Sequence, residues 1–107
     1  MISLTEDNFQ KEVLESNMPV MVDFSASWCM PCQIVSPVLE ELAKTYERKL
    51  KIGKLDVDQN NTLAQKFGIL SVPTIIFFKN GKEVKREVGF PGKEVYERLI
   101  KEVISLS

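Results

Sequence analysis

Apolar and polar positions change rhythm several times along the chain, and each rhythm predicts an element. Val20, Met21, Val22, Asp23 and Phe24 form a short, nearly continuous apolar run. A parallel strand covered on both faces reads this way. From Cys32 to Tyr46, the residues Ile34, Val35, Val38, Leu39, Leu42 and Tyr46 recur at about 3.6-residue spacing and predict the strongest helix of the chain. Ile2 to Leu4 is a candidate first strand. Thr5 then reads as a helix N-cap, with Glu6 and Asp7 where the helix dipole favours negative charge. Phe9 and Val13, four apart, share the buried face of that helix, which Asn17 and Pro19 end. Leu50 to Val57 is a further strand. Asn60 or Asn61 caps a short helix that Gly68 can close. Thr74 to Phe78 is a β-rich strand, and Asn80-Gly81 after it is a two-residue hairpin signal, since both positions accept positive φ. Val84 to Val88 is the return strand. Its surrounding Lys82, Glu83, Lys85, Arg86 and Glu87 suit an edge that must not recruit other chains. Val95, Leu99, Ile100, Val103 and Ile104 give a final amphipathic helix.

The predicted order is β-α-β-α-β-α-β-β-α. It implies an α/β fold with a central mixed sheet and helices on both faces. Strands separated by helices are expected to pair in parallel, with the hairpin adding an antiparallel edge. No repeat, linker or low-complexity segment interrupts the 107 residues, so one domain over residues 1–107 is expected.

Composition narrows the chemistry. With 44% hydrophobic and 27% charged residues, the chain reads as globular rather than disordered. The 14 basic and 15 acidic residues nearly cancel, which gives no electrostatic case for nucleic acid or an anionic membrane. No stretch approaches the roughly 18 apolar residues of a membrane span. Met1 to Gln10 lacks a basic region followed by an apolar run, so the expected compartment is the cytosol. There is no histidine and there are two cysteines. Histidine-assisted nucleophiles, histidine-containing zinc sites and a four-cysteine metal site within one chain are thereby excluded.

Those cysteines form Cys29-Met30-Pro31-Cys32, where an apolar strand ends and the long helix begins. Residues three apart on a helix share a face, so the two sulfurs can meet and bond. Cys29 falls at the helix N-terminus, where unpaired N–H groups and the dipole favour an anion, and the thiolate is the nucleophile of thiol–disulfide exchange. Pro31 is tolerated in a first helical turn. Cys32, one turn further in, is placed to resolve a mixed disulfide rather than to attack from outside. A packed cysteine pair, or half of a zinc site shared with another chain, are the competing readings; the strand-to-helix placement favours redox chemistry.

The segment Val22-Asp23-Phe24-Ser25-Ala26-Ser27-Trp28-Cys29-Met30-Pro31-Cys32 resembles the active-site segment of the thioredoxin family. The similarity continues through Pro37, Lys54-Leu55-Asp56-Val57-Asp58, Val72-Pro73-Thr74, Lys79-Asn80-Gly81 and Val88-Gly89, across nearly the whole chain. It implies the thioredoxin fold and a monomeric disulfide reductase. Cys29 would attack a target disulfide, and Cys32 would displace the target and leave a reversible Cys29–Cys32 disulfide. It implies no bound cofactor. Electrons would come from a thioredoxin reductase, a separate flavoprotein using NADPH. Targets would include ribonucleotide reductase, peroxiredoxin and methionine sulfoxide reductase. The alternatives are an oxidase or isomerase of the same fold and a non-catalytic binding domain.

The resemblance also implies roles for residues outside the pair. Asp23 interrupts an apolar strand, where a buried carboxyl has a raised pKa; the family pattern makes it the proton acceptor and donor near Cys32 and pairs Lys54 with it. Lys54 shares a face with Ile52 by two-residue alternation. The family pattern makes the Val72-Pro73 bond cis and has the backbone at Val72 pair with an extended substrate segment. Trp28, beside the nucleophile, is expected to supply apolar contact surface, extended by Met30, Pro31, Val72, Gly89 and Phe90. Pro37 should kink the long helix. The family usually carries Gly where this chain has Met30, and a basic residue is common where it has Gln33. Met30 bears on reduction potential and partner preference, and Gln33 removes a cation near Cys29.

Overall fold

The apolar run around Met21 becomes the central strand of a five-stranded sheet in the computed structural model, which describes residues 1–106. The strands are β1 (Ile2–Leu4), β2 (Val20–Ser25), β3 (Lys51–Asp56), β4 (Thr74–Lys79) and β5 (Lys82–Val88). Three α-helices accompany them: α1 (Met30–Thr45), α2 (Asn61–Lys66) and α3 (Lys93–Ile104). The strand order is β1-β3-β2-β4-β5. Every residue of β2 is buried, as a strand with a layer on each face requires. Met21, Ile52, Ile75 and Phe77 face Val35, Leu39 and Leu42 of α1 and Tyr96, Leu99, Ile100 and Val103 of α3. On the opposite face Val20, Val22, Phe24, Leu55, Ile76 and Phe78 pack with Leu4, Phe9 and Val13. Asp23 belongs to the α1/α3 face by alternation, with Lys54 of β3 and Ile75 of β4 as its register neighbours.

β1, β3 and β2 are parallel, but β4 runs antiparallel to β2 and β5 antiparallel to β4. The expectation of parallel pairing therefore fails at β4. The six residues of α2 span about 9 Å, less than half of what a six-residue strand covers. The rest of the connection between Asp56 and Thr74 is turn and loop, and it leaves the chain at the end of the sheet where β3 stopped. β4 accordingly starts beside Phe24, near the end of β2 at which β3 stops, and runs the other way.

Local chemistry accounts for the other departures. Residues 6–8 form a turn, and the helix after them is a short π-helix, Gln10–Leu14. Thr5 closes the turn by accepting backbone bonds from Asn8 and Phe9 rather than capping a helix. Phe9 and Val13 are both buried, as their spacing predicted. The Glu6 carboxylate accepts from the Thr62 amide (3.1 Å), so it serves the N-terminus of α2 instead of its own segment. Asn60 occupies the N-cap position of α2, yet its side chain is committed elsewhere, accepting from the Glu6 amide (2.9 Å) and donating to the Asp56 carbonyl (3.1 Å). In α1 the buried stripe is Cys32, Val35, Leu39 and Leu42. Ile34 lies about 100° around the helix from Val35 and is 58% exposed, not part of the stripe. The hairpin forms at Asn80 (φ 55°) and Gly81 (φ 77°).

Candidate functional site

Cys29 is the N-cap of α1, extended at φ -91° and ψ 115°, and its Sγ accepts the Cys32 amide at 3.2 Å. That amide is one of the donors a helix start leaves unpaired, so the fold aims a donor and the positive end of α1 at this sulfur. Pro31 lies in the first turn, where its missing N–H costs nothing. The two cysteines are joined as a disulfide, with Cα atoms 5.3 Å apart. Both are buried among Ala26, Val57 and Val72. Cys29 reaches the surface at one edge, between the exposed Trp28 and Met30.

Three loops surround that edge. The indole N–H of Trp28 donates to Asp58 (2.8 Å), which ties the ring to the turn after β3. The Val72-Pro73 bond is cis, and the Val72 carbonyl oxygen lies 3.7 Å from Cys29 Sγ. Gly89 (φ 83°) donates its amide to the Pro73 carbonyl (2.8 Å), and its own carbonyl accepts from the Tyr96 hydroxyl (2.8 Å). The Phe90 ring turns inward onto Tyr96, with centroids 5.3 Å apart. Gln33 donates to the Ser27 carbonyl (3.1 Å).

Beneath this surface Asp23 is fully buried, and neither carboxyl oxygen has a hydrogen-bond partner. Burial pushes its pKa up to about 7, against a smaller opposing pull from the Lys54 charge. Lys54 is its register neighbour but does not ion-pair with it. The Lys54 ammonium donates instead to Ser36 Oγ (2.7 Å), and Ser36 Oγ donates to the Cys32 carbonyl (3.3 Å). The Tyr96 phenol is also pushed up, by burial first and then by the charges of Asp23 and Glu87.

The residues singled out in the sequence thus converge on one end of the sheet: the cysteine pair and Trp28 at the surface, Asp23 and Lys54 below, and the Val72–Pro73 and Gly89 segments alongside. Pattern reading missed Ser36, Asp58, Tyr96 and Leu70. Ser36 follows Cys32 by one helical turn, which was a usable signal. Leu70, 98% exposed in the loop before Pro73, was visible as an apolar residue outside any periodic stripe. It borders a surface cavity of about 210 Å³ whose walls include Trp28, Val57, Ala64, Ile69 and Val72. Asp58 stood in a landmark segment without a role of its own, and nothing marked the Tyr96 hydroxyl; the partners of both come from other elements.

Comparison with known proteins covers the stretch that carries these residues. The family model described as Thioredoxin matches residues 1–102. A thioredoxin of Mycobacterium bovis is 48% identical over 103 residues, covering 96% of this chain and 89% of that protein. A thioredoxin of Alicyclobacillus acidocaldarius subsp. acidocaldarius is 43% identical over 103 residues, covering 96% of this chain and 97% of that protein. A bifunctional thioredoxin reductase/thioredoxin of Mycobacterium leprae is 47% identical over 103 residues; the matched part is 96% of this chain but only 22% of that longer protein. The helix-capping cysteine bonded to Cys32 and the family match lead to the same conclusion: the chain belongs to the thioredoxin family and is a thiol–disulfide oxidoreductase.

Proposed function

We propose that this protein reduces disulfides of target proteins, with Cys29 as nucleophile, Cys32 as resolving thiol and Asp23 as proton carrier. The observation that supports this most strongly is the position of Cys29 Sγ: it caps α1, accepts the Cys32 amide and is the sulfur next to the exposed Trp28–Met30 edge. In the reduced protein the same amide and dipole favour the Cys29 thiolate over the thiol. The thiolate attacks one sulfur of a target disulfide and releases the other as a target thiolate. The Asp23 carboxylate takes the Cys32 proton, directly or through water, and the Cys32 thiolate attacks Cys29 Sγ. The second target thiolate leaves and receives a proton. Two electrons pass to the target, and the Cys29–Cys32 bond seen here is the product.

Target docking is proposed over Trp28, Met30, Pro31, Val72 and the Gly89–Phe90 segment, with an extended target strand pairing to the backbone at Val72. The targets are proteins with accessible disulfides. A flavoprotein reductase using NADPH is proposed to restore the dithiol, a reading supported by the relative that joins a reductase and a thioredoxin in one chain. The proposed setting is the cytosol. Among the described residues, no helix is long and apolar enough to cross a membrane.

Reduction of insulin by dithiothreitol tests the proposal. The native protein is expected to bring forward the onset of insulin precipitation, and Cys29→Ser to lose that effect. Absence of acceleration by the native protein would overturn the reductase reading.

A further inference from the structure

Asp23 and Lys54 are opposite charges on neighbouring strands and the same face, yet they do not meet. Both Asp23 oxygens are without partners, while the Lys54 ammonium is held by Ser36 on α1. Ser36 is bonded at both ends: it accepts from Lys54 at 2.7 Å and donates to the carbonyl of Cys32 at 3.3 Å. A hydroxyl has one proton to give and lone pairs to accept with, so this arrangement uses its donor on the backbone and leaves an acceptor for the ammonium. A cavity of about 330 Å³, with Ser25, Ser27, Gln33 and Asp56 among its walls, opens beside Lys54 and gives the amine access to solvent.

We propose that Ser36 is a positioning residue of the exchange reaction: it detains the Lys54 ammonium on α1 and so leaves the Asp23 carboxyl unpaired and free to take and return a proton. The inference rests on the reading of Asp23 as proton carrier. Its physical basis is the strength of a short-range ion pair. An ammonium brought within about 4–6 Å of a buried carboxylate stabilises the ionised form by one to three pKa units, and a permanently ionised Asp23 would be a poor acceptor for the Cys32 proton. Which partner the lysine takes therefore separates a proton carrier from a structural ion pair. Of the other groups facing Asp23, Tyr96 of α3 feels its charge, and β4 presents the apolar Ile75. Glu87 of β5 acts on Tyr96, whereas the charge that acts on Asp23 is that of Lys54. Among the described residues, Lys54 is the cation whose charge acts on Asp23, and it is the one Ser36 holds.

The test is the Asp23 titration followed by the 13C resonance of its carboxyl in the oxidised protein, for native, Ser36→Ala, Ser36→Thr, Lys54→Met and the Ser36→Ala/Lys54→Met double variant. Ser36→Ala is expected to lower the Asp23 midpoint by about one unit or more. Ser36→Thr, which keeps a hydroxyl, is expected to restore it. In the Lys54→Met background the serine substitution is expected to have no effect. In the reduced protein, the acid limb of the pH–rate profile for disulfide reduction should shift in the same direction as the midpoint. An unmoved or raised midpoint in Ser36→Ala, a shift that persists without Lys54, or a moved midpoint with an unchanged rate profile would each overturn the inference. The titration needs no turnover, so it remains readable if the insulin assay fails; failure of the native protein there would overturn the proposed function instead.

Discussion

Asp23 has no partner in the interior of an otherwise apolar sheet face, and that has a thermodynamic sign. Its carboxyl is raised from 3.8 to about 7 by burial. Between those values the native chain holds a proton that the unfolded chain has released. The stability contributed by the neutral carboxyl is complete below about pH 4 and is lost as pH rises through about 7. Asp23→Asn, which cannot ionise, removes this loss. The stability advantage of Asp23→Asn over the native protein is expected to grow by about 4 kcal/mol between pH 4 and pH 8. Denaturant unfolding of the two oxidised proteins at both pH values checks this; a constant difference would mean that Asp23 ionises normally in the fold. At this scale the sequence was informative wherever a residue broke a pattern. Asp23 was legible as a carboxylate inside an apolar run, and Cys29 as a cysteine at a helix start. The Lys54–Ser36 contact was not legible. Strand alternation places Lys54 on the right face, but which oxygen it reaches depends on how α1 lies over β3.

The elements owe their ends to side chains from elsewhere in the chain. Lys79, the last residue of β4, sends its ammonium to the carbonyls of Val103 (3.0 Å) and Ile104 (3.4 Å) and to that of Leu106. Val103 and Ile104 are in the last turn of α3, whose carbonyls lack intrahelical partners, and a cation there also meets the negative end of the dipole. Lys79→Met keeps the apolar stem and is expected to cost about 1 kcal/mol. It should speed amide hydrogen exchange in the last turn of α3 more than in α1. Uniform exchange rates across both helices would show that Lys79 does not hold that terminus. The hairpin carries a second prediction. Gly81 has φ 77°, and a Cβ there would lie 2.7 Å from the Leu14 carbonyl oxygen. Gly81→Ala is expected to destabilise by more than about 1 kcal/mol, read as a lower denaturant midpoint at unchanged slope; an unchanged midpoint would mean the turn relaxes freely. Element types were legible throughout because period and turn chemistry are local. The direction of β4 was not, because it depends on where the segment after β3 rejoins the sheet, and that is set by packing rather than by local pattern. The exposure of Ile34 was missed for a related reason: an apolar residue beside a stripe is indistinguishable from one within it until the opposing layer is placed.

At the scale of the whole molecule, the sheet does one main thing for the chemistry. It brings three distant segments to one end: Trp28–Cys32 after β2, Val72–Pro73 before β4 and Gly89 after β5. Tyr96 of α3 and the Pro73 carbonyl both hold Gly89, so the third segment is bonded to the second and to the helix layer. Long-range similarity made this convergence legible before any coordinate, since the landmarks keep their order along the chain. Cys32→Ser should stop exchange after the first step. Mixed disulfides through Cys29 are then expected to accumulate on incubation with a disulfide-bonded protein, resolvable by dithiothreitol on a non-reducing gel. Failure to form any adduct with oxidised insulin would place the nucleophile elsewhere.

The exposed Met30 lies between the two cysteines, and the direction of electron flow is the central quantity. It is measured by equilibrating the protein with glutathione buffers of varied ratio and quantifying the Cys29–Cys32 bond. A reductase is predicted to retain the disulfide even when glutathione is mostly reduced, because its dithiol gives electrons up more readily than glutathione does. A pair that stays as the dithiol in buffer rich in oxidised glutathione would contradict the account and identify an oxidant on the same fold.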